Sequence, residues 1–274
     1  MNIFEAIILG VVQGLTEFLP VSSSGHLVLL QKAFGIDEPG LFFDTMLHVG
    51  TLSAVVIVLW KDIWELLKNP IQKLTFFLIL ATIPAVAAAL AFNKTINEIF
   101  ETGRFLGICF LITTALLIAA ELLSRRAVKN AQQQPKLLKT KESFTWIDAL
   151  FIGIMQAIAI PPGISRSGAT ISGALFRRLD RDFAARFSFL LSIPAILGAV
   201  VLHSKDIVTG KIPVEEINII AVITGTLTAA VVGFFAVKLM LKIIREKSLF
   251  GFAIYTGVLG ILVLLDQALL KLVF

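Results

Sequence analysis

The chain has 274 residues, of which 57% are hydrophobic and only 16% charged, with a formal net charge of +5, and its mean hydropathy is +0.90. Water-soluble domains carry about 25% charged residues, so a soluble enzyme is excluded and lipid is the solvent for most of the surface. The single cysteine, Cys109, excludes an internal disulfide, three scattered histidines exclude a zinc spacing, and basic residues confined to short connections exclude a nucleic-acid-binding module.

The first element, Ile3 to Leu19, is apolar but contains Glu5, Gln13 and Glu17 and runs into Pro20 and a serine cluster. It is neither a cleavable signal peptide nor a clean span. Followed by a short helical stretch, Leu27 to Phe34, it reads as a re-entrant hairpin. Three apolar runs of about 20 residues, long enough to cross a bilayer, are expected near 41–60, 74–92 and 105–124, and a basic linker, 125–145, follows as a tether. Trp146 to Ile160 then breaks at Pro161-Pro162-Gly163 and resumes as Ala169 to Arg178, a second hairpin; spans near 184–202, 217–238 and 249–270 complete the chain. Pro84 and Pro194 read as tolerated kinks. The expected fold class is an all-α membrane protein with about six transmembrane helices plus two re-entrant helical hairpins, divided into 1–124, the linker 125–145, and 146–274.

Assigning the connections to alternate sides puts Lys61, Lys68, Lys73, the linker cations Arg125, Arg126, Lys129, Lys136, Lys139 and Lys141, then Arg177, Arg178, Arg181, Arg186, Lys238, Lys242, Arg245 and Lys247 on one face. The other receives only Lys32, Lys94, Arg104, Lys205, Lys211 and Lys271. Cytoplasmic connections are enriched in Lys and Arg, so both termini are expected outside and the linker inside.

Shifting the sequence by 143 residues pairs Gly10-Val-Val-Gln13 with Gly153-Ile-Met-Gln156 and Ser22-Ser-Ser-Gly25 with Ser165-Arg-Ser-Gly168; five of seventeen positions from 10 to 26 are identical. Gly107 and Gly251 fall near the same offset, at 144. Each half has an odd number of crossings, which makes the repeat inverted and brings the tips of the two broken elements together near the bilayer midplane. The positions that differ then carry the information: Glu17 corresponds to Ile160, Ser23 to Arg166 and His26 to Ala169.

An unpaired carboxylate at the membrane centre costs about 2.5 to 3.5 kcal/mol on insertion scales, so Glu17 must be paired, hydrated or metal-bound, and Arg166 follows the same logic, with a structural salt bridge between them as the plain reading. Ser22, Ser23, Ser24, Ser165 and Ser167 taken singly are packing residues. Two serine-glycine loops at corresponding places, each opening a helix, instead make an anion site from backbone N–H groups, hydroxyls and the helix dipole. His26, at the end of its loop, suits acid-base work. Asp44 and His48 share one face of the first span and are given at most a supporting place beside the site. The set fits a phosphate group, best a diphosphate, on an amphiphile entering sideways from the bilayer.

Gln13-Gly-Leu-Thr-Glu17-Phe-Leu-Pro-Val-Ser-Ser-Ser-Gly-His26 and Pro162-Gly-Ile-Ser-Arg-Ser-Gly-Ala-Thr170 resemble the signatures of the undecaprenyl-diphosphate phosphatase family of the bacitracin-resistance type. The resemblance extends over essentially the whole chain, including Ala185-Arg-Phe-Ser-Phe-Leu-Leu-Ser-Ile-Pro194. It implies a membrane hydrolase that removes the terminal phosphate of undecaprenyl diphosphate at the outer face of the cytoplasmic membrane, regenerating the carrier lipid for peptidoglycan synthesis and conferring bacitracin resistance. It further implies Glu17 as metal ligand, His26 and Ser22 or Ser23 in nucleophile or acid-base roles, and Arg166, Ser165 and Thr170 around the phosphates, with Ser24, Gly25, Ser167, Gly168 and Gln13 completing the diphosphate site. Where the family pattern has Glu or Gln, this chain has Gln13, which leaves one carboxylate and disfavours a tightly held second metal. The expected cofactor is a divalent cation, Mg²⁺ or Ca²⁺; the expected partner is the membrane lipid substrate, with no nucleic acid and a homo-oligomer left open. The attacking group stays open at this point. The alternative function is an anion-coupled transporter or lipid flippase, because broken helices in inverted repeats also serve alternating access.

Overall fold

A computed structural model describes residues 1–36, 41–131, 138–208 and 218–274. Lys136 and Lys211 of the charge assignment lie outside the described residues, as do the side chains of Lys94 and Lys205. Among the described residues the chain is helical, without a strand, apart from one isolated bridge between Lys139 and Leu179.

Among the described residues five helices are long and apolar enough to cross a membrane: α5 (Lys73–Ala91), α7 (Leu106–Ala131), α10 (Arg181–Val208), α11 (Ile219–Glu246) and α12 (Phe250–Leu265), the last continued by a π-helical turn, Asp266–Leu270. A sixth arises when α3 (Leu41–Val58) is joined with α4 (Trp60–Lys68) across a 79° bend. The expected spans are therefore present as helices, with Pro84 inside α5 and Pro194 inside α10. α7 runs on through Arg125, Arg126 and Lys129 to Ala131, so the first part of the expected linker is helix rather than tether; cations in a last turn favour the negative end of the helix dipole.

Two further helices were not expected, α4 and α6 (Asn93–Thr102). Each is short, amphipathic and charged, so a search for long apolar runs passes over it. On α4, Trp60 stacks on Trp64 at 5.7 Å and Lys68 lies 5.5 Å above the Trp64 ring, the pattern of an aromatic and cationic edge at a membrane interface. α6 stops at Gly103, whose φ of 62° is the left-handed C-cap that glycine adopts without cost.

The two broken elements are α1 (Ile3–Thr16) with α2 (Ser23–Ala33), and α8 (Trp146–Ile158) with α9 (Arg166–Phe176). α1 and α8 open with the same device, a capping box of Asn2 with Glu5 and of Thr145 with Asp148. Each is 13 or 14 residues long, which at 1.5 Å per residue spans about 20 Å and falls short of a bilayer's hydrocarbon core.

The halves pack by exchange. α1 lies along α11, and α8, its counterpart at the 143-residue offset, lies along α5. The contacts correspond: a Cβ on Gly10 would sit 2.6 Å from the Gly225 carbonyl oxygen, and one on Gly153 would sit 2.5 Å from that of Ala81. α7 pairs with α12, and α3 packs chiefly on α11 and also on α10. A Cβ on Gly107 would sit 2.9 Å from the Gly260 carbonyl oxygen, whereas one on Gly251 would meet open space, so this second glycine pair does not share a packing role.

Several cations on the basic face are tied to buried carboxylates. Asp148, fully buried, accepts from Lys139 at 2.7 Å and Arg177 at 2.6 Å. Glu121 accepts from Arg125 at 2.7 Å, from Arg181 at 2.5 Å and from the Leu249 amide at 3.1 Å, joining α7, α10 and the α11–α12 turn. These clamps tie together the helix ends on this face.

Candidate active site

α1 continues through Glu17 in helical geometry (φ −61°, ψ −39°), and the chain then turns at Phe18 to Val21. Ser22 takes φ 71° and ψ 94°, a region that costs a non-glycine residue about 1 to 3 kcal/mol. Its own groups compensate: Oγ accepts the Gly25 amide at 3.3 Å, and its carbonyl accepts the His26 amide at 3.2 Å and His26 Nδ1 at 2.7 Å. In the second loop, Gly163 takes φ 94° and Ser165 caps α9 by accepting the Gly168 amide at 3.0 Å.

The tips of the two loops meet. Gly163 N–H donates to Ser22 Oγ at 3.1 Å, and Ser167 Oγ donates to the Leu19 carbonyl at 2.9 Å. A Cβ on Gly25 would lie 2.9 Å from Gly163 Cα and 2.7 Å from the Phe110 ring, so only glycine allows this approach. Thr113 of α7 fastens the second loop, donating to the Gly163 carbonyl and accepting the Ser165 amide, both at 2.9 Å.

Glu17, 5% exposed, stands at the centre. Its Oε1 pairs with Arg166 Nη2 across the two loops. Its Oε2 accepts from Ser23 Oγ at 2.5 Å and from Gln13 Nε2 at 3.0 Å. Gln13 Nε2 also meets His48 Nδ1 at 2.9 Å, and that ring nitrogen is 3.5 Å from Glu17. Arg166 Nη1 is buried without a hydrogen-bond partner among the described residues. These groups border a cavity of about 250 Å³ whose polar wall is Glu17, Ser22, Ser23, Ser24, His48, Ser165 and Arg166, and whose apolar wall is Phe100, Ile160, Ile164, Ala195, Ile196 and Ala199. An amphiphile with an anionic head matches both walls.

The structure thus brings Gln13, Glu17, Ser22, Ser23, Ser24, Ser165 and Arg166 together. Gly25, Ser167 and Gly168 build the loop contact rather than the cavity wall. Thr170 lies behind its loop, donating to the Arg166 carbonyl at 2.9 Å and meeting Ser188 of α10 at 2.6 Å. His26 is 8% exposed, bonded to Ser22 and Tyr255 and packed edge-on to Phe110. His48, which sequence reasoning placed at most beside the site, lines the cavity. Its signal was a titratable ring in an apolar span. Asp44, on the same helix, is held instead by Gln31 at 2.9 and 3.2 Å.

For a divalent cation the donor set is small and made of hard oxygens. No group of three His, Cys, Asp or Glu side chains capable of holding a metal occurs among the described residues. Gln13 Oε1, however, is buried without a partner one turn from Glu17, and Mg²⁺ is commonly held by one or two protein oxygens completed by substrate phosphate and water. The residues fit a cation of that kind as a partial shell.

The model of the bacitracin resistance protein BacA matches residues 6–262 of this chain. An undecaprenyl-diphosphatase of Carboxydothermus hydrogenoformans is 46% identical over 268 residues, covering 98% of both chains. Undecaprenyl-diphosphatase 3 of Bacillus cereus is 48% identical over 267 residues, covering 97% of this chain and 98% of its own, and an undecaprenyl-diphosphatase of Halothermothrix orenii is 39% identical over a similar length. With a family model spanning nearly its whole length and relatives this similar end to end, the chain belongs to the BacA bacitracin-resistance family.

Proposed function

We propose that this chain is an undecaprenyl-diphosphatase, hydrolysing the terminal phosphate of undecaprenyl diphosphate to return the monophosphate carrier lipid. The observation that carries the reading is the buried, unpartnered Nη1 of Arg166 beside Glu17 and Ser23, at a cavity with one polar and one apolar wall. An unsatisfied guanidinium nitrogen is costly in the empty protein and is repaid by a phosphate oxygen.

In the reaction, the Ser23 hydroxyl, already donating to Glu17, attacks the terminal phosphorus and passes its proton to that carboxylate. The bond to the lipid monophosphate breaks; that leaving group has a second pKa of about 6 and needs little protonation. Water then cleaves the phosphoserine and releases inorganic phosphate. Charge on the transferred phosphoryl oxygens is met by Arg166 and by loop N–H groups, the interaction on which phosphoryl transfer chiefly depends. Glu17 and Gln13 are the residues that would hold Mg²⁺ or Ca²⁺, which supplies positive charge against the diphosphate. One chain provides every group named, so the chemistry does not require a homo-oligomer.

The setting we propose is the cytoplasmic membrane, with the halves inverted relative to one another, both termini outside and the site open to the outer face; the Lys and Arg distribution and the exchanged helix packing support it. Phosphate release from undecaprenyl diphosphate by the purified protein in detergent tests the function. Transport of the lipid across liposome membranes without phosphate release would replace the phosphatase by a flippase.

A further inference from the structure

The chain contains one tyrosine, Tyr255 on α12, which is 48% exposed beside the exposed Ile254 and Val258. Its hydroxyl is 2.7 Å from His26 Nε2, and the two rings are nearly parallel, 6° apart with centroids at 5.6 Å. Phe110 closes the other side of the imidazole edge-on at 5.5 Å. The hydrogen bonds define the ring's protonation. Nδ1 lies 2.7 Å from the Ser22 carbonyl, which only accepts, so Nδ1 carries the hydrogen and Nε2 accepts from the tyrosine.

That carbonyl belongs to the strained residue of the first loop. Ser22, at φ 71°, directs its Oγ to Gly163 in the second loop and places the next residue, Ser23, on Glu17. The backbone bond from the His26 amide and the side-chain bond from Nδ1 are the two contacts on the Ser22 carbonyl. If Nε2 took the hydrogen instead, a lone pair on Nδ1 would face that carbonyl, which would lose one of its two contacts.

We infer that Tyr255 is a positioning residue for the first serine loop: by donating to His26 Nε2 it keeps the imidazole hydrogen on Nδ1, which holds the Ser22 carbonyl and thereby sets Ser23 against Glu17. The link to turnover rests on the phosphatase reading above; the link to His26 does not. The route runs from a lipid-facing side chain on the last span to the reacting loop in the first half, through a histidine that acts on conformation.

The test is Tyr255→Phe, which keeps an apolar ring on an exposed face, with Ile261→Phe on the same helix as control. Nitrogen-15 spectra of histidine-labelled protein, with the His26 signal identified by its loss in His26→Gln, read the tautomer directly. The expected result is an Nδ1–H signal in the unsubstituted protein and in Ile261→Phe, and a mixture of tautomers in Tyr255→Phe. kcat on undecaprenyl diphosphate is expected to fall about tenfold in Tyr255→Phe with KM within about twofold, since small misplacement of a reacting group costs up to a hundredfold. An Nε2–H signal in the unsubstituted protein, an unchanged signal in Tyr255→Phe, or a loss expressed only in KM would overturn the proposal. Absence of phosphate release by the unsubstituted protein, with the tautomer shift intact, would remove the phosphatase reading and leave the Tyr255–His26 contact standing.

Discussion

Ser22 and Ser165 occupy corresponding places, and each caps its helix by accepting the amide of the glycine three residues on, yet their backbones differ: φ is 71° at Ser22 and −70° at Ser165. The ordinary loop presents Arg166, and the strained one presents Ser23 and Glu17. The glutamines one turn further back differ as sharply. Gln13 donates to Glu17 and His48, while Gln156, its counterpart, is buried with neither amide atom bonded. A repeated motif therefore supplies the cap and the close approach of the loops, and the reactive set comes from the positions at which the copies part. In the second copy the glutamine finds no hydrogen-bond partner among the described residues.

Breaking the asymmetric pair is expected to have the largest effect. Arg166→Ala and Glu17→Ala should each lower kcat for phosphate release about a thousandfold or more, the scale of removing a transition-state electrostatic partner. Because the two side chains act as one unit, the double variant should lose little beyond either single one; fully multiplicative losses would show that they work separately. Ser23→Ala should cost about 10² to 10⁴-fold, as expected for a nucleophile or a proton-donating group, whereas Ser165→Ala, which removes a cap and one cavity-wall hydroxyl but no reacting group, should cost about 1 kcal/mol of stability and a smaller loss of turnover than Ser23→Ala. Equal catalytic losses in both serine variants would erase the distinction drawn between the loops.

Chelation is a middle-sized test. EDTA is expected to lower turnover and added Mg²⁺ or Ca²⁺ to restore it, because one carboxylate and one guanidinium do not neutralise a diphosphate in a low-dielectric cavity. Unchanged turnover would leave Arg166 and the loop amides as the whole electrostatic machinery. The smallest effect separates the glutamines. Gln13→Leu should reduce kcat/KM by loosening Glu17, whereas Gln156→Leu should leave it within about twofold and raise stability by about 1 kcal/mol through relief of an unsatisfied buried amide, seen as a higher thermal midpoint in detergent. A destabilised Gln156→Leu would mean that this side chain has partners after all.

Much of this was legible before any coordinates. Composition demanded a membrane protein, the 143-residue self-match located both loops, and the departures between copies singled out Glu17, Ser23 and Arg166. What escaped was of two kinds. α4 and α6 are too short and too charged to register as spans, and their amphipathic pattern becomes readable only when the end of the preceding span is known. His48 and Tyr255 are separated from their partners by 31 and 229 residues, and no local pattern encodes which histidine of an apolar helix faces a carboxylate elsewhere. His26 shows the same limit: the motif ends on it, but only the packing of α12 places Tyr255 at one ring nitrogen while the Ser22 carbonyl meets the other.

The amino-acid sequence by itself determined the solvent, the helical class, the two loops and the identity of the charges within them, because those follow from hydropathy, from local capping chemistry and from internal repetition. Only the tertiary structure decided that Glu17 is shared by Ser23, Gln13 and Arg166, that His48 joins them, and that His26 faces Tyr255. The reason is geometric. Capping acts within three or four residues of chain and is written there, whereas the direction of a buried polar side chain is set by whichever element packs against it: α3 brings His48 to Glu17, and Arg166 and Tyr255 reach Glu17 and His26 from far along the chain.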